Sequence, residues 1–184
     1  MQKSKPVTVG IMGVNSGAGV TTLAVSLAGY LSAFHRKSVA VVECGQKSEF
    51  RLMRTADDMD IFTIKNIDYY CKKAADISDI LKRGYDAIIM DYGSGTARLD
   101  QIRECTHKIV VASLEPWNVD RYDTFCESMK EWFHRDTWLH ILHGDIGELR
   151  RVTRAYGVQP IKRPFIENVH IVDKDLVKFF QSLF

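Results

Sequence analysis

Apolar residues in this chain gather into strand-length runs, and between the runs they recur at the three- and four-residue spacing of a buried helix face. The first run, Val7, Val9 and Ile11, reads as a buried strand. Small residues follow from Gly13 to Gly19, and a helix opens at Val20-Thr21-Thr22 with Leu23, Leu27 and Leu31 along one side. Its expected end is His35-Arg36-Lys37, where basic side chains suit the negative end of a helix dipole. Ser38–Glu43 is the next run and Asp60–Ile64 a short third strand, with polar, irregular sequence over 47–59 between them. Ala74–Lys82 has helical spacing at Ile77, Ile80 and Leu81 and stops at Gly84. Tyr85–Asp91 is a strand ending in a carboxylate, followed by a glycine turn over Tyr92–Gly95.

The second half continues the alternation. A short helix over Leu99–Glu104 leads to a strand over Lys108–Ser113 and then to Leu114-Glu115-Pro116-Trp117. From Val119, the residues Tyr122, Phe125, Met129 and Trp132 or Phe133 make a helical stripe whose period fits burial against a sheet better than a stacking platform for bases. Trp138–Leu142 is a sixth strand, Glu148–Tyr156 a helix, and Lys174–Phe184 an amphipathic helix carrying Leu176, Val177, Phe180 and Leu183. Strands alternating with helices predict a mostly parallel, doubly wound sheet in a three-layer α/β/α fold, one domain over residues 1–184. In such folds ligands bind beyond the carboxyl ends of the strands. Four loops meet there: Gly13–Thr22, Glu43–Gln46, Asp91–Gly95 and Leu114–Trp117.

Composition bears on partners more than on fold. A net charge of +2, with 46% hydrophobic and 26% charged residues, gives no chain-wide field that would draw nucleic acid. Arg150, Arg151, Arg154, Lys162 and Arg163 form a local basic cluster, which reads either as a solvated face or as a surface for DNA or an acidic partner. No apolar run approaches the roughly 20 residues of a membrane span, and MQKSKPV lacks a leader's apolar stretch, so a cytoplasmic protein is expected. Cys44, Cys71, Cys105 and Cys126 have no C-x-x-C spacing and read as buried thiols. His140 and His143 would face opposite sides of their strand, which favours structural histidines over metal ligands. The C-terminal helix sets lysines beside large apolar residues, as a membrane-surface helix does, but it follows the preceding segment without a linker and is expected to pack on the sheet.

The candidate chemistry lies in the first loop. Strand, glycine loop and helix in that order make a phosphate-binding layout, in which backbone N–H groups and the positive end of a helix meet an anion. The loop residues Asn15, Ser16, Gly17, Ala18, Gly19, Val20, Thr21 and Thr22 are the candidate nucleotide-binding set. Val20 stands where a nucleotide-hydrolysing loop carries its lysine. The same glycines would also serve a tight strand-to-helix turn with no ligand, and Asp91 would also serve as a strand-end cap.

Taken together, NSGAGVTT, VAVVECGQ, YDAIIMDYGSG, VVASLEPWNVDRYD and IKRPFIENVHI resemble, in order and spacing, the motifs of the ParA/MinD group of P-loop ATPases. This is the deviant-Walker branch that positions plasmids, cell-division factors and polar machinery. The resemblance spans nearly the whole chain and implies a P-loop NTPase fold, with ATP and Mg2+ as ligands. It makes Thr21 and Asp91 the magnesium-side pair and Pro116 part of the segment that contacts the base. It also implies a homodimer. Three charged members are replaced: the Walker lysine by Val20, the signature lysine that reaches across the dimer by Asn15, and the second aspartate of strand two by Gly45, with Glu43 standing for the first. Phosphoryl transfer relies on cations placed against developing charge. Loss of one lysine-to-phosphate contact, roughly 1.5–3 kcal/mol, weakens nucleotide binding about 10- to 100-fold.

These replacements imply weak nucleotide binding, little or no hydrolysis and no assignable catalytic residue. The nearest analogy is with members having atypical loops, the TadZ/CpaE type, which localise pilus or secretion machinery to a pole or membrane assembly through an unspecified protein partner. Two other readings stay open. One is an ATP-dependent dimerising switch that borrows a cation from Lys47, Arg51 or a partner, and the other is a DNA-binding partition factor.

Overall fold

Strands that are apolar on both sides must be covered on both sides, and this requirement shapes the molecule. The computed structural model describes residues 5–47, 49–53, 60–72, 74, 76–133 and 137–183. The strands are β1 (Val7–Gly13), β2 (Val39–Glu43), β3 (Ile61–Ile64), β4 (Ile67–Tyr70), β5 (Ala87–Ser94), β6 (His107–Ser113), β7 (Trp138–His143) and β8 (Pro160–Lys162). They form one sheet in the order β3-β4-β2-β5-β1-β6-β7-β8, parallel except for the antiparallel β3–β4 pair at one edge. The helices are α1 (Val20–His35), α2 (Ile77–Lys82), α3 (Leu99–Arg103), α4 (Val119–Phe133), α5 (Ile146–Tyr156) and α6 (Lys174–Gln181).

Alternate residues of each strand feed two cores. Val9, Ile11, Val41, Ile89, Ile109 and Ile141 pack with Leu23 and Leu27 of α1 and with Leu176 and Phe180 of α6. On the other face, Met12, Val42, Ile88, Val110 and Leu142 pack with Tyr122, Phe125 and Met129 of α4 and with Val152 of α5. The aromatic stripe of α4 is therefore core. So is the apolar face of α6, where Phe180 stacks on Tyr30 of α1 with ring centroids 5.2 Å apart. Among the described residues no helix is long and apolar enough to cross a membrane. All four cysteines are buried, as their spacing suggests.

Several elements differ from the sequence expectation. The third strand is one half of a hairpin: β4 follows β3 through Lys65 and Asn66, both in the left-handed region with φ of 49° and 63°. Two-residue hairpins require that conformation at both central positions, and a Lys-Asn pair is a weak signal for it. The helix expected from Ala74 begins at Ile77, because Asp76 caps it through Ser78 N–H at 2.9 Å. Leu81 is exposed rather than packed. The strand expected to stop at Asp91 continues to Ser94 through a bulge, since Ile11 pairs with Asp91 but Gly13 with Ser94. Gly93 adopts φ 63° there, so the expected glycine turn is built into the strand. The segment after α5 contributes an eighth strand, β8, on the far edge. Part of the irregular 47–59 stretch, the side chain of Phe133 and residue Phe184 lie outside the described residues.

His140 and His143 do face opposite ways. His140 is buried, with Nδ1 2.8 Å from the Tyr122 hydroxyl, whereas His143 is exposed beside Glu115 at 3.4 Å. Burial lowers the His140 pKa to about 4, below the roughly 6.5 of an unfolded histidine. Its stabilising contribution is thus complete above about pH 6.5 and is lost as pH falls toward about 4, on the order of 3 kcal/mol in all. Urea unfolding across this range is expected to show that acid-side loss, and His140→Gln is expected to flatten it. An unchanged slope in the variant would exclude His140 as the source.

Candidate functional site

The loop between β1 and α1 turns at Gly17 and Gly19, which adopt φ of 77° and 92°. Gly19 is the N-cap residue of α1 and has no side chain to offer. Helices α2, α5 and α6 are instead capped by the carboxylates of Asp76, Asp145 and Asp173. No acid lies in the first turn of α1 either, so the positive end of this 16-residue helix is uncompensated by its own side chains. It opens onto a cavity of about 250 Å³. The walls are the loop from Asn15 to Thr22, the end of β2 with Glu43, Gly45, Gln46, Lys47 and Glu49, and the end of β5 with Asp91, Gly93 and Ser94.

Thr21 and Asp91, the pair that the resemblance assigns to magnesium, are in contact. Thr21 donates its hydroxyl to Asp91 Oδ2 at 2.6 Å, and Gly93 N–H reaches Asp91 Oδ1 at 2.8 Å. Burial nevertheless raises the Asp91 pKa to about 6, with Glu49 and Glu43 adding to the rise against these two hydrogen bonds. Among the described residues no cluster of three or more His, Cys, Asp and Glu is placed to hold a metal ion, so a cation here needs oxygens from a ligand or water.

The positions that depart from the resembled motifs have structural duties. Val20 is 6% exposed and belongs, with Ala18, to the core under α1. Its Cγ2 lies 2.8 Å from where a Gly13 side chain would begin, so strand and loop close over it. Asn15 is buried: its Oδ1 accepts from Ser113 N–H at 3.1 Å and its Nδ2 donates to the Ser16 carbonyl at 3.2 Å, tying the loop to β6. Glu43 accepts the N–H groups of Phe50 and Lys72, both at 3.0 Å, and so clamps the segment after β2. At Gly45 a Cβ would stand 3.1–3.2 Å from the backbone of Tyr92 and Gly93.

Cations approach the loop from two other places. Lys47 Nζ donates to Ser16 Oγ at 3.1 Å from the β2 side. Arg163, just past β8, donates Nη1–H to the Ala18 carbonyl on the opposite flank. By sequence Arg163 belongs to the basic cluster, and nothing local to residue 163 signals a contact 145 positions away. Arg151 is also withdrawn from that cluster, with a bidentate pair to Asp123 at 3.1 Å and a bond to Glu148 at 2.7 Å. Pro116 is exposed on the loop after β6 and does not line the cavity, and Arg51 is exposed in a 3-10 turn outside it.

No family model matches the chain, and no curated protein sequence does. Solved structures do match. A ParA family ATPase from Chlorobium tepidum superposes with TM-score 0.68 at 15% identity, covering 98% of each chain. A Borrelia burgdorferi protein assigned to plasmid partition, bound to AMPPNP, gives 0.65 at 16% identity, covering 98% of this chain and 97% of that one. The septum site-determining protein MinD of Pyrococcus horikoshii, with Mg-ADP, gives 0.56 at 17% identity over 74% of this chain and 70% of its own. The fold is of the ParA/MinD P-loop type.

The contact at Gly45 has a measurable consequence. Gly45→Asp is expected to push the ends of β2 and β5 apart and to lower stability by about 1–3 kcal/mol in chemical denaturation. An unchanged midpoint would show that the strand ends have room for the carboxylate.

Proposed function

On this ParA/MinD-type P-loop fold, we propose a protein whose ATPase site has degenerated and which serves as a positioning or scaffold factor for a cellular assembly. The observation that carries the reading is Val20, an apolar side chain buried in the core at the position where the loop would need a cation. Gly45 offers no carboxylate to organise an attacking water, and Asn15 is occupied in holding the loop to β6. What remains is a cradle: the uncapped start of α1, the glycine turn, and the Thr21–Asp91 pair.

ATP and Mg2+ fit this cradle in part. The loop amides and the start of α1 would hold phosphate, and Thr21 and Asp91 would face the metal. AMPPNP in the Borrelia protein and Mg-ADP in the Pyrococcus protein support a nucleotide as the ligand class. Against tight binding stand three carboxylates lining the cavity, Glu43, Glu49 and Asp91, facing one lysine, Lys47. Such a balance favours weak occupancy and no turnover. The DNA reading loses ground, because Arg151 and Arg163 are committed within the fold and only Arg150, Arg154 and Lys162 of the cluster stay exposed.

ATP hydrolysis by the unmodified chain is expected to match a protein-free blank. Calorimetric titration is expected to show Val20→Lys binding Mg-ATP about 10- to 100-fold more tightly than the unmodified chain. Micromolar affinity together with turnover in the unmodified chain would overturn the degenerate reading.

A further inference from the structure

We infer that Lys47 takes over the part of the missing loop lysine, meeting the terminal phosphate of a phosphoanhydride ligand from the β2 side of the cavity. The inference rests on the reading above, that the loop is a phosphate cradle. Lys47 lines the same cavity as the uncapped start of α1, and its Nζ already stands 3.1 Å from Ser16 Oγ at the tip of the loop. Among the described residues it forms no ion pair, although Glu43 and Glu49 line the same space. Glu43 cannot capture it cheaply, since both of its oxygens accept backbone N–H groups.

The segment that carries Lys47 is held at several points. Cys44 and Gly45 donate to the Asp91 carbonyl at 2.7 and 2.9 Å, Lys72 Nζ donates to the Gln46 carbonyl at 3.0 Å, and Glu43 fixes Phe50. An ammonium on a braced segment, one hydroxyl away from the loop tip, is a preplaced cation rather than a free surface lysine. Arg163 cannot serve instead, because it bonds to a loop carbonyl and does not line the cavity. The acidic wall sets a further condition: the ligand must bring Mg2+ to neutralise the charge that Asp91 and the two glutamates present.

The test uses the full chain, with Mg-ATP and magnesium inorganic triphosphate titrated calorimetrically into the unmodified protein, Lys47→Gln and Lys47→Arg. Both anions are expected to bind the unmodified protein, and Lys47→Gln is expected to weaken both about 10- to 100-fold while Lys47→Arg keeps most of the affinity. Loss for ATP with triphosphate binding nowhere identifies a nucleotide as the source of the phosphate, and equal loss for both identifies the phosphate chain alone. Lys47 is exposed, so thermal midpoints are expected to agree among the three proteins. Equal affinity in Lys47→Gln, or no binding of either anion to the unmodified protein at millimolar concentration, overturns the inference. Failure of the degenerate reading is a separate result, seen as ATP turnover by the unmodified chain whatever Lys47 contributes.

Discussion

The carboxylate of Asp91 accepts from Thr21 and Gly93, while its carbonyl accepts from Cys44 and Gly45. One residue thereby joins the phosphate loop, the end of β2 and the bulge of β5, and the cavity between them keeps its shape because these four bonds agree. The two bonds to the carboxylate are charge-assisted, a kind that contributes roughly 1.5–3 kcal/mol each. The pKa is nonetheless pushed up to about 6, so desolvation outweighs them. A buried carboxylate in that state lacks a neighbouring positive charge.

The positions that depart from the resembled motifs all carry structural contacts. Val20 joins the α1 core, Asn15 anchors the loop to β6, Glu43 clamps the turn after β2, and Gly45 lets two strand ends approach. These contacts hold the architecture around the cavity without a charged side chain at Val20, Asn15 or Gly45. A loop filled by an apolar side chain is stabilised by the hydrophobic effect in the absence of any ligand. A loop built around a lysine depends more on an anion to balance it.

Most of the fold was legible because the parallel strands are continuous apolar runs and the helices have strong apolar faces. The order of loops at the strand ends followed from the same alternation, and the set Asn15–Thr22 with Asp91 does come together around one cavity. What could not be read depends on contacts distant in sequence or on weak local signals. The β3–β4 hairpin turns on two non-glycine residues in the left-handed region, and β8 is three residues long. The role of Arg163 exists only once β8 has been laid beside β7. Lys47 was visible as a nearby cation, but the bracing that aims it at Ser16 involves Lys72 on another element.

Strand β8 is an edge, paired on one side only, and it is short. Residue 163 follows it directly, and its guanidinium is fastened to the Ala18 carbonyl inside the phosphate loop. A single side chain therefore joins the rim of the sheet to the loop before α1. Phe165, two residues further on, is 89% exposed. An outward-facing aromatic ring thus lies two residues from the side chain that reaches the loop, at the unpaired margin of the sheet.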